Sequence, residues 1–356
     1  MKKLLLALLI AGAAQAEEPQ QVEVPGVKNP DMRSYRNVVA GLDAFQEYHA
    51  LAPAVPELRF RLSAGRMSDQ LTAGEPLSLR IAGEGDPIPV PVTADGTFTL
   101  PRVQSAIDDD ADLILNRKKG ALRGRPDIHT PGLPDNVRRL GDLRLECQVA
   151  VAIGKKEIGL LKTLAVNTLV LTTDWCGMNT VMKEKVKFWW PSRRIVEAAE
   201  IVDGERRETI ETKDFSYLTP LADKAWSNDA LIELRYAPEP TAEEKTNPWL
   251  QPLFVLGSMN DWTSRTPMRK LEDGIYTAEL DLEKGKQQLK IGTRGLVDLE
   301  LGSAEKDAQL TEGVATPLAL KGKRLTLKLD QPGHYTLTLD ARNKDAPTLR
   351  ASHMQQ

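Results

Sequence analysis

From Phe254 to Asp340 apolar and polar residues alternate in short runs, and each run ends at a turn signal. Ile275-Tyr-Thr-Ala-Glu-Leu-Asp-Leu282 is the clearest; Phe254-Val-Leu256, Lys286-Gln-Gln-Leu-Lys-Ile291, Leu325-Thr-Leu-Lys-Leu329 and Tyr335-Thr-Leu-Thr-Leu-Asp340 repeat the style. A period of two sends successive side chains to opposite faces, so these segments are half-buried strands and not helix turns. Many short strands separated by Gly, Pro and Asp turns predict an antiparallel two-layer sandwich over residues 249–350, with 351–356 as a tail.

The other end of the chain sets a compartment. Met1-Lys2-Lys3, an apolar stretch from Leu4 to Ala14 and Ala14-Gln15-Ala16 have the layout of a secretory signal, residues 1–16, with the mature chain beginning at Glu17. The apolar stretch is shorter than the about 20 residues a bilayer span needs. The expected address is periplasmic or secreted, with no stable membrane insertion after signal cleavage.

The chain has 356 residues and a formal net charge of −3, which offers no electrostatic basis for binding nucleic acid or an anionic membrane. Cys147 and Cys176 are the two cysteines, and in an oxidising compartment they are expected to form a disulfide that joins two strands. Metal chemistry finds no support in their spacing, which is not C-x-x-C, or in the four histidines at 49, 129, 334 and 353. Asp108-Asp-Asp-Ala-Asp112 lacks the central Gly and closing Glu of a calcium loop and reads as a solvated turn leading into a strand.

Residues 17–56 read as a polar leader and a short amphipathic helix. The helix is expected to start at Asn29-Pro-Asp31 and to bury Tyr35, Val38, Val39, Leu42, Phe45 and Tyr48. Residues 57–236 form a β-rich region, divisible into 57–149 and 150–236, and the Pro- and charge-rich 237–248 is a linker. Within the region Asp95-Gly96 and Asp203-Gly204 mark hairpins, 118–142 reads as an irregular Gly/Pro loop, and 158–171 fits helix or buried strand. The fold class is therefore mainly β with a few helices, in a multi-domain chain with a β-rich middle region and a C-terminal β-sandwich.

Two resemblances add to this. Val90 to Pro101, a strand, an Asp-Gly turn and a Phe-x-Leu strand, is similar to an element of carboxypeptidase-regulatory or prealbumin-like sandwiches. Gly257-Ser-Met-Asn-Asp-Trp262, followed by Asp273-Gly-Ile-Tyr276 and Gly285 to Ile291, resembles the glycogen-binding early-set sandwich that accompanies pullulanases and starch-branching enzymes. The resemblance implies an immunoglobulin-like, early-set β-sandwich for residues 249–350, and that family places the Trp of the G-x-x-N-x-W segment, a second Trp and a Lys on a sugar-facing surface. Trp262 matches the first and Lys290 the Lys; Asn260 of the same segment is a third candidate ligand-binding residue. The second Trp would fall within residues 293–298, which read Thr-Arg-Gly-Leu-Val-Asp, so that stacking platform is missing.

No nucleophile elbow, H-E-x-x-H, phosphate loop or dinucleotide fingerprint occurs, so the chain is not expected to be an enzyme and no catalytic residue, cofactor or metal site is assigned. Two functions remain open. One is an exported binding protein whose C-terminal module binds an α-glucan or related polysaccharide, and the other is an envelope scaffold or assembly protein whose sandwich modules bind protein partners.

Overall fold

A computed structural model describes residues 27–63, 75–178, 187–306 and 308–354. The signal 1–16 and most of the polar leader lie outside the described residues. The chain is mainly β with a few helices, and its buried side chains gather into three clusters along the sequence.

The first cluster is framed by Pro30–Ser34, which pairs with Asp112–Lys118; beyond that strand come Leu79–Ala82 and Ile88–Val90. The helix expected from Asn29 begins later, at Tyr35, because Pro30 enters an edge strand, where its missing N–H costs no ladder bond. Helix α1, Tyr35–Glu47, then buries Tyr35, Val38, Val39 and Phe45 as the spacing predicts, but Leu42 is only partly buried and Tyr48, just past the helix end, is exposed. Asp95-Gly96 does turn the chain, with Gly96 at φ +83°, but it makes no hairpin. Ile88–Val90 joins one sheet, whereas Thr97–Thr99 pairs with Arg59–Ser63 in another. The supposed loop 118–142 also contains two strands, Arg123–Pro126 and Val137–Arg139. Helix α2, Gln104–Asp108, and a turn at Asp110 carry the acidic run into its strand.

Helix α3, Leu140–Ile158, joins the first two cores. Leu145 and Val149 face the first cluster, while Leu140, Leu143 and Cys147 face the second, so two apolar stripes run along one helix. Helix α1 packs closely on it: a Cβ at Gly41 would come within 2.8 Å of Ile153 Cδ1. The disulfide Cys147–Cys176 is present, but it joins a helix to a turn, not two strands. Between the cysteines α4, Leu160–Val170, resolves the ambiguous segment as helix and folds back along α3, with Thr163 Oγ1 donating to Lys155 O.

The second cluster lies under the sheet Arg206–Ile210, Val196–Asp203, Leu231–Tyr236 and Val137–Arg139, and the Asp203-Gly204 hairpin forms as its turn signal indicates. A smaller sheet of Thr212–Lys213, Ser216–Leu218 and Trp189–Pro191 stands beside it. Residues 237–248 contain a short helix, Ala242–Thr246, closed by a Thr241/Glu244 capping box.

The third cluster is the core of the C-terminal sandwich. Ile275–Leu282 and Gly333–Asp340 pair over their full lengths at the centre of one five-stranded sheet, whose next strand, Thr348–His353, runs along Gly333–Asp340. The facing sheet is built on Gly285–Gly292, which pairs with Phe254–Gly257, Leu325–Leu329 and Glu300–Gly302.

The sandwich docks on the middle region chiefly at the turn around Asp214, with an Arg294–Glu197 ion pair at 3.2 Å beside it. Asp214 accepts from the N–H of Ser264 at 3.1 Å and from its hydroxyl at 3.0 Å, and Arg265 donates to Thr212 O at 2.5 Å. Gly295, at φ +64°, lies so close to Phe215 that a Cβ would come within 2.6 Å of the ring. Asp214→Ala strands a partly buried Ser264 N–H and should cost about 1–3 kcal/mol of docking free energy. Limited proteolysis should then cut residues 237–248 faster; an unchanged rate would show that the turn does not hold the units together.

Candidate functional site

The Gly257–Trp262 segment is a tight corner at the end of its strand. The Asn260 side chain builds it: Oδ1 accepts from Gly257 N–H at 2.9 Å and Nδ2 donates to Val255 O at 2.7 Å. Asp261 and Trp262 both take left-handed backbone angles, φ +55° and +60°, and Trp262 N–H donates to Gly257 O at 2.8 Å. Positive φ is costly for a tryptophan, so this corner is held in place by its hydrogen bonds. Asn260 therefore acts through the backbone, with its amide already engaged on both sides.

The Trp262 indole is half-buried, and the guanidinium of exposed Arg324 lies 4.5 Å from its ring centre. That is cation–π range, and the guanidinium covers one face of the ring. Lys290 is ion-paired with Glu300 from the adjoining strand. Its ammonium is thus neutralised inside the sheet surface, and a sugar hydroxyl would have to compete with a carboxylate for it.

Residues 293–298, where the resembled family carries its second indole and this chain has none, form the turn that packs on Phe215; Thr293 Oγ1 accepts from the N–H groups of Asp298 and Leu299 at 3.1 and 3.0 Å. An indole of the middle region is linked to the Trp262 corner through one lysine. The Lys213 ammonium lies 4.6 Å from the Trp189 ring and 3.1 Å from the carboxylate of Asp261, the residue before Trp262. Trp189 is half-buried, while Trp226 is in the core. Nothing local to the Trp189-Trp190 pair records this link, because Lys213 and Asp261 meet only through the fold.

A second polar cluster sits under the Gly/Pro loop. Asp127 accepts from Arg61 Nε at 2.8 Å and contacts His129 Nε2 at 3.0 Å. Glu146 accepts from Ile128 N–H at 2.8 Å and from Arg138 at 2.7 Å, and Asp142 accepts from Thr130 N–H at 2.6 Å and from its hydroxyl at 2.8 Å. Two buried carboxylates in the first turns of α3 thus satisfy the backbone N–H groups of the loop. Ligating atoms of Asp127, His129 and Glu146 fall within 4.8 Å of one another. A divalent cation there would have to displace Arg61 and Arg138, whose charges already offset the two carboxylates, so the arrangement suits a structural network. Burial pushes the Asp127 carboxyl up, but His129 and Arg61 outweigh it and hold the group well below the usual carboxylate range. Burial wins at Glu146, whose carboxyl is pushed up despite Arg138.

No protein-family model and no curated protein matches this chain. Among solved structures it is similar to one described as "Ligand induced structure of AmyP-SBD", at 14% identity and a TM-score of 0.25, over 34% of this chain and 89% of that one. A likeness at that level assigns neither fold nor ligand.

Proposed function

We propose that this is an exported, non-catalytic binding protein whose C-terminal sandwich takes an α-glucan or related polysaccharide at Trp262. The observation that carries the reading is the half-buried indole on a rigid, hydrogen-bonded corner. A sugar ring presents an apolar face that stacks on such an indole, and a preset corner lowers the ordering cost of binding. Trp189, linked to the same corner through Lys213 and Asp261, stands in for the platform absent from residues 293–298. Arg324 and Gln288, whose side chains lie 3.4 Å apart, supply polar contacts beside Trp262. The export signal and the disulfide support a location outside the cytoplasm.

The test uses the whole mature chain, because the second indole belongs to the middle region. Native gels containing glycogen or starch should retard it, and Trp262→Ala should weaken binding by about fivefold or more, the equivalent of about 1 kcal/mol of lost stacking. Trp189→Ala should weaken it less. No retardation across a panel of α- and β-glucans would rule the reading out. The competing role, a scaffold that binds envelope proteins, is favoured by the use of Asp261, Ser264 and Arg265 in an interface between units. It predicts a stoichiometric partner in crosslinking pull-downs and no sugar affinity.

A further inference from the structure

Seven of the 11 residues of helix α4 are apolar, yet none of its residues is buried. Leu160 is 73% exposed, Leu161 82% and Leu169 78%. A helix of that character is ordinarily covered, and a contiguous apolar patch on a folded chain marks a docking surface. Its 11 residues are far too few to span a bilayer, and no helix among the described residues is long and apolar enough to cross one.

The charges around the helix indicate what covers it. Glu157, in the last turn of α3, borders a depression of about 430 Å³ whose rim also carries Lys119, Arg123 and Arg125. Lys156 and Lys162, both exposed, bracket the apolar tip Ile158 to Leu161. Among the described residues none of these five cations enters an ion pair, while the two acids of the same surface, Asp31 and Glu157, are both bound by Arg33 at 3.8 and 3.0 Å. An apolar wedge beside unpaired cations is complementary to an anionic lipid surface. It is not complementary to itself: a two-fold contact through this patch would bring like charges together. The overall charge of −3 does not oppose this, because a surface field decays over a Debye length of about 8–10 Å and the local charge governs contact.

We propose that the tip of the α3–α4 hairpin is a binding site for anionic bilayer surfaces. Leu160, Leu161 and Leu164 enter the acyl boundary, and Lys119, Arg123, Arg125, Lys156 and Lys162 meet the headgroup phosphates. The contact is peripheral and reversible, and it is independent of any glycan site on the sandwich.

The experiment is vesicle flotation of the full mature chain, with phosphatidylcholine vesicles against vesicles also containing phosphatidylglycerol. The chain should float with the anionic vesicles only and be released by about 1 M salt, where the Debye length falls to about 3 Å. Leu160→Asp/Leu161→Asp should reduce the floated fraction by about tenfold or more, since two apolar side chains no longer enter the acyl boundary. Lys119→Glu/Arg123→Glu/Arg125→Glu should do the same through charge. These side chains lie outside the three cores, so far-UV circular dichroism of both variants should match the parent. The proposal is overturned if the parent chain does not float, if the leucine variant floats as well as the parent, or if α4 instead mediates self-association that Leu160→Asp/Leu161→Asp abolishes.

Discussion

Arg138→Ala should lower the free energy of unfolding by about 3–5 kcal/mol at neutral pH, and by less in acid. The Arg138 and Glu146 side chains are 11% and 5% exposed, and their 2.7 Å ion pair is the principal compensation for two charges taken out of water. Without Arg138, the Glu146 carboxylate keeps only the Ile128 N–H as a direct partner. Burial already pushes this carboxyl up, and loss of the guanidinium pushes it further. A carboxyl whose folded pKa exceeds its unfolded value costs nothing below the unfolded value, and its penalty grows as pH rises toward the folded one. The deficit of the variant should therefore open above about pH 4, the ordinary glutamate range, and widen toward pH 7. Urea unfolding followed by tryptophan fluorescence at several pH values checks this, and a pH-independent deficit would contradict it. Arg138→Met/Glu146→Gln should recover most of the loss, because the amide oxygen still accepts from Ile128 N–H and no charge is left buried. The native pair is also imperfectly satisfied, since Arg138 Nε is buried without a hydrogen-bond partner among the described residues.

Loss of the Cys147–Cys176 bond should cost about 3–4 kcal/mol, the chain-entropy value for a loop of this length, and lower the melting temperature on the order of 10 °C. The bond spans 29 residues and closes the α3–α4 hairpin at its base. Few other contacts hold that hairpin: Lys155 to Thr173 O at 2.6 Å, Trp175 Nε1 to Asn167 at 2.8 Å and Gln148 to Asp174 at 3.1 Å. No α4 residue is buried, so core packing cannot replace the covalent tie. Cys147→Ser/Cys176→Ser, or dithiothreitol on the parent chain, should produce the same melting shift and expose residues 159–175 to protease first. Equal melting temperatures with and without reductant would show that the hairpin is held by other means.

How much of this was legible in the sequence varies with the physics of each element. Ile275–Leu282, Gly333–Asp340 and the Val196–Ile210 hairpin are half-exposed antiparallel strands, and a strand with one wet face writes its period directly into the chain. Helix α1 has one buried stripe and was equally plain. Helix α3 was missed because Leu143, Leu145, Cys147 and Val149 alternate like a strand. The alternation arises from two buried stripes on one helix, each facing a different core. Asp95-Gly96 was legible as a turn but not as the crossing between two sheets, because a turn residue records backbone angle and not the partner of the strands beside it.

At the candidate site the same division holds. Trp262 was marked by its segment, whereas the engagement of Asn260 with the backbone and of Lys290 with Glu300 depends on where neighbouring strands and turns bring their groups.

The sequence by itself determined the mainly β class, the sandwich strands, the cysteine pair and the corner that carries Trp262, because each is encoded in local periodicity, turn chemistry or composition. Only the tertiary structure decided that α3 serves two cores, that Asp214 latches the middle region to the sandwich, that Lys213 links Trp189 to the Trp262 corner and that, among the described residues, α4 stands exposed near cations without ion pairs. Those features are contacts between residues distant in the chain, or the lack of them, and burial and charge pairing across such distances leave no periodic trace in the residues themselves.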